Sequence, residues 1–244
     1  MKNGIILAGG TGSRLLPLTS VVNKHLLGLN GKFIIDYPIN TLKQLGCQDV
    51  TVILGGNHYA QVAGYLGDGS RYGLNLNYVY QAEPRGIAQA INLCKKFVYN
   101  ESEFSVILGD NVFENVPRWN TSNSKAQMVL AHHPSLTRFG VASIDYNGKV
   151  IKIEEKPTEL DYSFTNMAIS GCYRFTPAFF DYFTELKPSA RGEYEITDIL
   201  RKYHQDDNLS YTMVSGLWSD AGTHESIGYV NHYFYQKEHG ITQV

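Results

Sequence analysis

The sequence predicts an α/β protein with a mixed, mostly parallel central sheet and helices on both faces. In the first half, short apolar runs at 5–7, 50–54 and 104–108 alternate with stretches of helical periodicity. Such strand–helix–strand spacing is typical of parallel strands covered by helices. In the second half, apolar runs follow one another with hairpin-like gaps, which predicts a β-rich insertion. We therefore expect a single domain over residues 1–244.

The first half of the chain supplies the parallel strands. Its first strand, residues 5–7, runs into the glycine-rich segment 9–12, and a helix over 39–45 is closed by Gly46. The remaining elements of this half are strands over 50–54, 75–80 and 104–108, and a helix over 88–97. Because parallel sheets bind ligands beyond the carboxyl ends of their strands, the glycine-rich segment, Gln81 and Asp110 should share one edge.

The second half is predicted to be mostly β, with a helix at its end. Its strands are expected over 128–132, 141–144, 150–154 and 167–175. The dipeptide Asn147-Gly148 is typical of a type I′ hairpin turn. Ile227, Val230 and Phe234 lie on one helical stripe, which indicates a helix over 224–239.

The composition narrows the class of protein. Charged residues make up 18% of the chain and the net charge is −2, which argues against a nucleic-acid binder and against a polybasic membrane anchor. Cys47, Cys94 and Cys172 form no Cys-x-x-Cys pair and are interpreted as core residues of a reduced protein. Neither a signal peptide nor a membrane-spanning apolar run is apparent. A cytoplasmic protein with no membrane partner is expected.

The glycine-rich segment after the first strand is the first candidate site. Small residues there would let backbone N–H groups face a phosphate, and Arg14 and Lys24 follow as cations. The segment lacks the Lys-Ser or Lys-Thr of a P-loop and the third glycine of a dinucleotide-binding motif. By itself, it is equally compatible with a tight turn.

Two acidic residues form a second candidate site. Asp110 follows a buried strand, where it is either a turn residue or a metal ligand, and Asp220 precedes Gly222 and the start of a helix. Magnesium uses few protein carboxylates and keeps several waters. A pair of aspartates from two strand ends is consistent with that requirement, so Mg²⁺ is the expected cofactor.

These segments, taken together, resemble the motifs of sugar-nucleotide pyrophosphorylases, and they occur in that family's order. The resemblance runs from Gly4 to about Ser226, and its motifs are Leu7 to Lys24, Gln81 to Ala88, Leu108 to Phe113, Arg138 to Val141, Glu154 to Pro157, Arg191 to Asp198 and Trp218 to Ser226. It implies a Rossmann-like nucleotidyltransferase fold with a β-rich sugar-binding insertion. From the residues alone, a strand that ends in two acids and a base, as at Glu154, Glu155 and Lys156, is most often a solvated edge.

The resemblance also implies roles for individual residues. Catalytic roles fall to Arg14, Lys24, Asp110, Lys156 and Asp220, with Asp110 and Asp220 holding the metal. Contacts to a nucleoside triphosphate fall to Leu7, Gly9, Gly10, Thr11, Gly12, Ser13, Gln81 and Gly86. Contacts to a sugar 1-phosphate fall to Asn111, Gly140, Glu155, Lys156 and Arg191.

The reaction that the resemblance implies is nucleotidyl transfer from dTTP or UTP to glucose 1-phosphate, with release of pyrophosphate. Two alternatives stay open. One is a uridylyl- or cytidylyltransferase for another hexose 1-phosphate, and the other is a catalytically silent regulatory subunit of the same fold. The family also implies a homo-oligomer. Arg85 stands where many relatives have an acid, and His25 where they have glutamine.

Overall fold

The computed structural model describes residues 3–120 and 123–240, which form thirteen strands and seven α-helices. The strands are β1 (Asn3–Ala8), β2 (Gly28–Leu29), β3 (Lys32–Phe33), β4 (Asp49–Gly55), β5 (Asn75–Gln81), β6 (Phe104–Leu108), β7 (Asn111–Phe113), β8 (Ala126–Ala131), β9 (Gly140–Ile144), β10 (Val150–Glu155), β11 (Thr165–Phe175), β12 (Leu209–Met213) and β13 (Trp218–Asp220). The helices are α1 (Asp36–Gln44), α2 (Tyr59–Leu66), α3 (Ile87–Leu93), α4 (Lys95–Val98), α5 (Ala178–Thr184), α6 (Ile196–Gln205) and α7 (His224–Glu238).

Nine of these strands form one mixed sheet. Along its main path, the order is β10-β9-β11-β6-β1-β4-β5, and β6, β1, β4 and β5 are mutually parallel. β11 runs antiparallel to β6 and to β9, and its pairing with β8 brings β12 into the sheet. The β-rich part therefore continues the parallel sheet through β11. This arrangement confirms the predicted mixed α/β fold.

Apolar side chains cover both faces of the parallel strands. Ile5 and Val106 point to one face, where they pack with α3 to α6, and their neighbours Ile6 and Ile107 point to the other, where they pack with α1 and α2. All four are fully buried. Burying each such side chain stabilises the fold by roughly 1.5–3 kcal/mol. The prediction of helices on both faces is confirmed.

Helix α7 covers the short β7–β13 ribbon. Its Val230 packs in a small core with Val112 and Ala221. The helix begins at a capping box, in which the Thr223 hydroxyl accepts from the Ser226 N–H and the Ser226 hydroxyl accepts from the Thr223 N–H. Such caps stabilise a helix start by about 1 kcal/mol. The predicted terminal helix is confirmed, and it holds the ribbon that ends at Asp220.

Glu114 anchors the end of α7 to the same ribbon. Its carboxylate accepts hydrogen bonds from the Leu217 N–H, the Tyr233 hydroxyl at 2.6 Å and the Lys237 ammonium. Burial opposes the charged form of Glu114, but these donors lower its pKa to about 2.

Several local predictions were wrong. The hairpin between β9 and β10 does not use a type I′ turn, because Asn147 has a negative φ and only Gly148 is left-handed, at φ +79°. Instead, the turn begins one residue earlier, and the Asp145 carboxylate accepts from the Asn147 and Lys149 N–H groups. The helix expected over 88–97 is divided at Cys94 into α3 and α4.

In other places, an element begins at a different residue than predicted, or was not predicted. Helix α1 starts at Asp36, before the expected Ile39, since Pro38 falls in its first turn, where no N–H donor is needed. Helices α2 and α5 and strand β12 were not predicted. Within the described residues, no helix is both long enough and apolar enough to span a bilayer.

Candidate active site

Two adjoining cavities open at the carboxyl ends of β1, β5 and β6. The larger has a volume of about 720 Å³ and the smaller about 230 Å³. Ile87, Leu108, Asp110 and Glu193 line both of them. The chain therefore has one continuous cleft with two compartments, and Asp110 lies at their junction.

The smaller cavity contains most of the residues predicted to bind a nucleotide. Its walls include Leu7, Gly9, Gly10, Gln81 and Gly86, together with Lys24 from the predicted catalytic set. Ser13 lines the larger cavity, whereas Thr11 and Gly12 line neither.

Gly9 lies directly against the Gln81 amide, because a Cβ on it would lie 2.7 Å from Gln81 Oε1. A side chain would therefore displace the Gln81 amide from this wall of the cavity.

The loop after β5 is fastened to the segment before α6. The Tyr194 N–H donates to the Arg85 carbonyl at 2.8 Å, and the Ala88 N–H donates to the Tyr194 carbonyl at 3.1 Å. Gly86 lies between these bonds at φ +99°, and a Cβ on it would be 2.6 Å from the Tyr194 carbonyl oxygen. Glycine is therefore needed both for this φ and for the close approach of the two backbones.

The larger cavity collects the residues predicted to bind a sugar phosphate. Its walls include Asn111, Gly140, Glu155, Lys156 and Arg191, and also Arg14 and Asp220. These residues come from β7, β9, β10, the segment before α6, the N-terminal loop and β13. The fold brings together groups that are far apart in the sequence.

Arg191 and Glu155 form the polar wall of this cavity. Arg191 Nη2 lies 3.0 Å from Glu155 Oε1 and 2.9 Å from Glu195 Oε1, and the Thr197 hydroxyl donates to Glu155 Oε2 at 3.2 Å. Burial, followed by the nearby Glu195 charge, raises the pKa of Glu155. The wall thus offers both a carboxylate acceptor and a guanidinium donor.

Lys156 follows Glu155 in a left-handed backbone conformation, at φ +43°. This is unusual for a residue other than glycine, and such strain is frequent at functional sites. The Lys156 N–H donates to the Phe139 carbonyl at 3.0 Å, which holds the conformation in place. The ammonium group is half-exposed and lies 3.9 Å from Glu155 Oε1, so it is available to an anionic ligand.

The Asp110 carboxylate is held by two side chains. Lys24 Nζ lies 2.5 Å from its Oδ2, and the Asn111 side-chain amide donates to its Oδ1 at 3.2 Å. Trp218 Nε1 in turn donates to Asn111 Oδ1 at 2.6 Å. Burial opposes the charged form, but Lys24 holds the pKa of Asp110 well below its usual range. Asp110 is therefore an ionised carboxylate at neutral pH.

Asp220 is distant from Asp110 in the sequence but lies beside it in the fold. Strand β13 pairs with β7 so that Asp220 faces Asn111, and the Ala221 N–H donates to the Asp110 carbonyl at 2.8 Å. A Cβ built on Gly222 would be 3.5 Å from Asp220 Oδ2 and 3.6 Å from Asp110 Oδ2. Arg14 Nη2 lies 3.0 Å from the same point. Both carboxylates and the guanidinium therefore surround one small volume.

Cations already lie against both carboxylates, since Lys24 Nζ is 2.5 Å from Asp110 Oδ2 and Arg138 Nη2 is 3.1 Å from Asp220 Oδ2. Burial, followed by the neighbouring Asp110 charge, raises the pKa of Asp220, and Arg138 and Arg14 act against the shift. Carboxylate oxygens are hard ligands of the kind that divalent cations prefer, so these two aspartates are the residues here that could hold such an ion. Within the described residues, no group of three or more His, Cys, Asp or Glu side chains is arranged to hold a metal ion by itself. The pair resembles an ion site that a phosphate ligand would complete.

His25 packs beneath this pair without adding charge to it. Burial, followed by the Lys24 charge, lowers the pKa of His25 to about 3, so the ring is neutral. Its Nδ1 lies 2.8 Å from Asn23 Oδ1, and within the described chain its buried Nε2 has no hydrogen-bond partner. The ring fits against Gly109, where a Cβ would be 2.9 Å from Nε2.

Sequence reasoning missed Arg138, Thr197 and Glu195 as parts of this site. Arg138 Nη2 donates to Asp220 Oδ2 at 3.1 Å. Arg138 immediately precedes Phe139-Gly140, which is part of the motif that located Gly140, so its position carried a signal. Its contact with Asp220, 82 residues away, follows only from the folded structure.

Comparison with known proteins assigns the family. The sequence model of the family described as Nucleotidyl transferase matches residues 3–237. The chain belongs to this family. The nucleotidyl transferase assignment confirms the resemblance found in the sequence. Sugar-nucleotide-forming enzymes of this family act on a nucleoside triphosphate and a sugar 1-phosphate, and they generally need a divalent metal ion.

Individual relatives of this nucleotidyl transferase support the same assignment. The chain is 37% identical to the glucose-1-phosphate thymidylyltransferase of Neisseria meningitidis serogroup A, over 92% of the chain and 79% of the relative. It is 36% identical to the low-salt glycan biosynthesis nucleotidyltransferase Agl11 of Haloferax volcanii, over 92% of the chain. The chain spans only 63% of the length of that second relative.

Solved structures agree with the fold. A Bacillus anthracis protein assigned as a glucose-1-phosphate thymidylyltransferase, solved in complex with a sucrose, superposes with a TM-score of 0.87 and 42% identity, over 96% of the chain and 95% of that protein. A UDP-glucose pyrophosphorylase complexed with UDP-glucose superposes with a TM-score of 0.81, over 97% and 99%, at 22% identity. At that identity, the second likeness shows the fold alone. The Rossmann-like nucleotidyltransferase fold is confirmed.

Proposed function

We propose that the chain transfers a thymidylyl or uridylyl group from dTTP or UTP to glucose 1-phosphate and releases pyrophosphate. The observation that carries this proposal is the convergence of Arg14, Asp110 and Asp220 around Gly222, in a cleft whose two compartments share Asp110. The thymidylyltransferases among its relatives support the choice of substrates.

The nucleoside triphosphate would occupy the smaller compartment. Gln81 and Gly86 would contact the base, with Leu7 beneath it. The backbone from Gly9 to Ser13 would follow the phosphates, although Thr11 and Gly12 do not line either cavity. Lys24 would compensate phosphate charge, because its ammonium already lies within this compartment.

Glucose 1-phosphate would occupy the larger compartment. Glu155 can accept hydrogen bonds from sugar hydroxyls, Asn111 can both accept and donate them, and Gly140 leaves room beside these side chains. Arg191 and Lys156 would bind the phosphate group. To do so, Arg191 would share its donors between the phosphate and Glu195, which it now contacts at 2.9 Å.

The reaction would be an in-line displacement at the α-phosphorus. An oxygen of the sugar phosphate forms the new P–O bond while the bond to the departing pyrophosphate breaks. No general base is needed, because the sugar phosphate is already ionised at neutral pH. Arg14 would bind the leaving pyrophosphate, and Lys24 and Lys156 would bracket the reacting phosphates. Asp110 and Asp220 would hold Mg²⁺, which supplies additional neutralisation of phosphate charge when it is bound.

A pyrophosphate-release assay tests the proposal. The purified chain is incubated with each of dTTP, UTP and CTP against glucose 1-phosphate and other hexose 1-phosphates, with and without Mg²⁺. We expect release with dTTP or UTP and glucose 1-phosphate, and none without a divalent ion. Preference for another hexose phosphate would favour the uridylyl- or cytidylyltransferase alternative. Absence of release from every pair would refute the proposal and favour a catalytically silent subunit.

We further propose that the described segments form one nucleotidyltransferase domain and that the protein assembles as a cytoplasmic homo-oligomer. The continuous sheet through β11 supports the single domain. The family resemblance supports the oligomer. Light scattering coupled to size-exclusion chromatography tests the oligomer directly, since a monomeric mass at micromolar concentration would contradict it.

A further inference from the structure

A pair of glutamine side chains spans the end of the smaller cavity. Gln81 is buried at the end of β5, and its Nε2 donates to Gln89 Oε1 at 2.7 Å. Its own Oε1 lies beside Gly9 on the cavity wall. No donor from residues 3–120 or 123–240 hydrogen-bonds to this Oε1. The Gln81 amide thus presents a carbonyl acceptor to the cavity, with its nitrogen held by Gln89.

The position of Gln89 is itself fixed. Gln89 lies in the first turn of α3, directly after the loop that is fastened to Tyr194. The tight contact of Gly86 with the Tyr194 backbone prevents the start of the helix from shifting. Turning the Gln81 amide over would bring two carbonyl oxygens together, unless Gln89 turned as well. The two amides are therefore coupled, and Gln81 can turn over only together with Gln89.

The orientation of an amide decides which pyrimidine edge it can pair with. Thymine and uracil carry an N3–H donor between two carbonyl oxygens, which matches an amide oxygen flanked by an amide N–H. Cytosine carries an N3 acceptor beside an N4–H₂ donor, which requires the reversed amide. A buried polar group that is left mispaired strongly disfavours the wrong ligand.

We propose that Gln89 is a positioning residue that selects thymine- or uracil-type bases over cytosine by holding the Gln81 amide in its observed orientation. This inference rests on the proposed function, and it assigns to Gln89 a role in base specificity. Gln89 acts through Gln81 and needs no contact with the base. Residue 89 should therefore affect which base is accepted more than it affects turnover.

Three substitutions separate the donor and acceptor properties of residue 89. Gln89→Glu can only accept, so it keeps the Gln81 nitrogen hydrogen-bonded to residue 89 and serves as the matched control. Gln89→Met removes the hydrogen bond at similar volume. Gln89→Lys can only donate, which favours the reversed Gln81 amide. The readout is the ratio of kcat/KM for dTTP to that for dCTP with glucose 1-phosphate, because general effects of charge on triphosphate binding cancel in this ratio.

We expect Gln89→Glu to keep or raise the wild-type ratio and Gln89→Met to lower it about tenfold, as expected for the loss of one orienting hydrogen bond. Gln89→Lys should lower the ratio further and increase the rate with dCTP. A wild-type ratio in both Gln89→Met and Gln89→Lys would overturn the inference. A decrease of this ratio in Gln89→Glu as large as that in Gln89→Met would also overturn the inference.

The wild-type protein separates this inference from the proposed function. If the wild type uses dTTP and the three variants leave its preference unchanged, only the role of Gln89 fails. If the wild type releases no pyrophosphate from any pair, the proposed function fails. In that case, thermal-shift titrations with dTDP and dCDP still decide the inference, because they report base preference without turnover. Equal shifts in the wild type and in all three variants would overturn it.

Discussion

Substituting Gly86 by alanine is expected to loosen the nucleotide side of the cleft. The residue has φ +99° and ψ 168°, a region that is accessible almost only to glycine. The added Cβ would lie 2.6 Å from the Tyr194 carbonyl oxygen and 2.8 Å from the Tyr194 nitrogen, so one backbone must move. Both hydrogen bonds between this loop and Tyr194 would be strained together.

The size of the effect follows from the backbone strain at residue 86 and from the weakened hydrogen bonds to Tyr194. Holding a non-glycine residue in such a conformation costs about 1–3 kcal/mol. Weakening two backbone hydrogen bonds adds about 1 kcal/mol. We expect Gly86→Ala to lower the free energy of unfolding by about 2–4 kcal/mol in urea denaturation. The KM for dTTP should rise as well, because Gln81 and α3 flank the displaced loop.

Gly64 provides the matched control. It lies within α2, and a Cβ on it would meet no atom within 4 Å. Gly64→Ala should therefore stabilise the protein by about 0.5–1 kcal/mol, through a less flexible unfolded chain and better helix propensity. Equal stabilities of Gly86→Ala and wild type, measured beside a stabilised Gly64→Ala, would show that the close approach to Tyr194 is not structurally important.

Three further outcomes test the site and its support. Asp110→Asn should reduce kcat of the folded protein on the order of 100-fold or more, and near-normal turnover would contradict a metal role. It should also lower the urea midpoint, because Lys24 loses its ion-pair partner. Arg14→Ala should lower kcat/KM, because losing this donor weakens the stabilisation of the transition state by about 2–4 kcal/mol. An unchanged kcat/KM would show that Arg14 does not bind the phosphates. Glu114→Gln should destabilise the protein by about 1–2 kcal/mol at pH 7. Because the folded pKa of Glu114 is about 2 against an ordinary 4.5, this difference should persist above pH 4.5 and vanish as the pH falls toward 2.

The elements that sequence reasoning found are those whose pattern reflects burial. Strands β1, β4 and β6 are nearly continuous apolar runs, because helices cover both of their faces. Strand β12, by contrast, is only half-buried along most of its length and has no clear alternation, so it was missed. Helix α2 is short, contains Gly64 and follows a left-handed His58, and these features concealed its start.

The candidate site was predictable to the extent that its residues stand in contiguous motifs. Asp110 and Asp220 were each recognisable, and their proximity follows from the pairing of β7 with β13, which no local pattern specifies. The contact between Arg138 and Asp220 and the pairing of Gln81 with Gln89 depend on side-chain geometry. The turn at Asn147 was misassigned, because the Asp145 side chain competes for the backbone donors that a type I′ turn leaves free.

Strand β11 limits how the protein can respond to its substrates. Its residues 172–175 bond to β6, on the side of the cleft proposed for the nucleotide, and residues 165–168 bond to β9, on the side proposed for the sugar. A hinge between these sides would have to break one of those ladders. Movements of the loops and of long side chains such as Arg138 and Lys24 must therefore bring the two reactants together. Spectroscopic probes attached to β9 and β6 should keep a constant separation throughout the catalytic cycle.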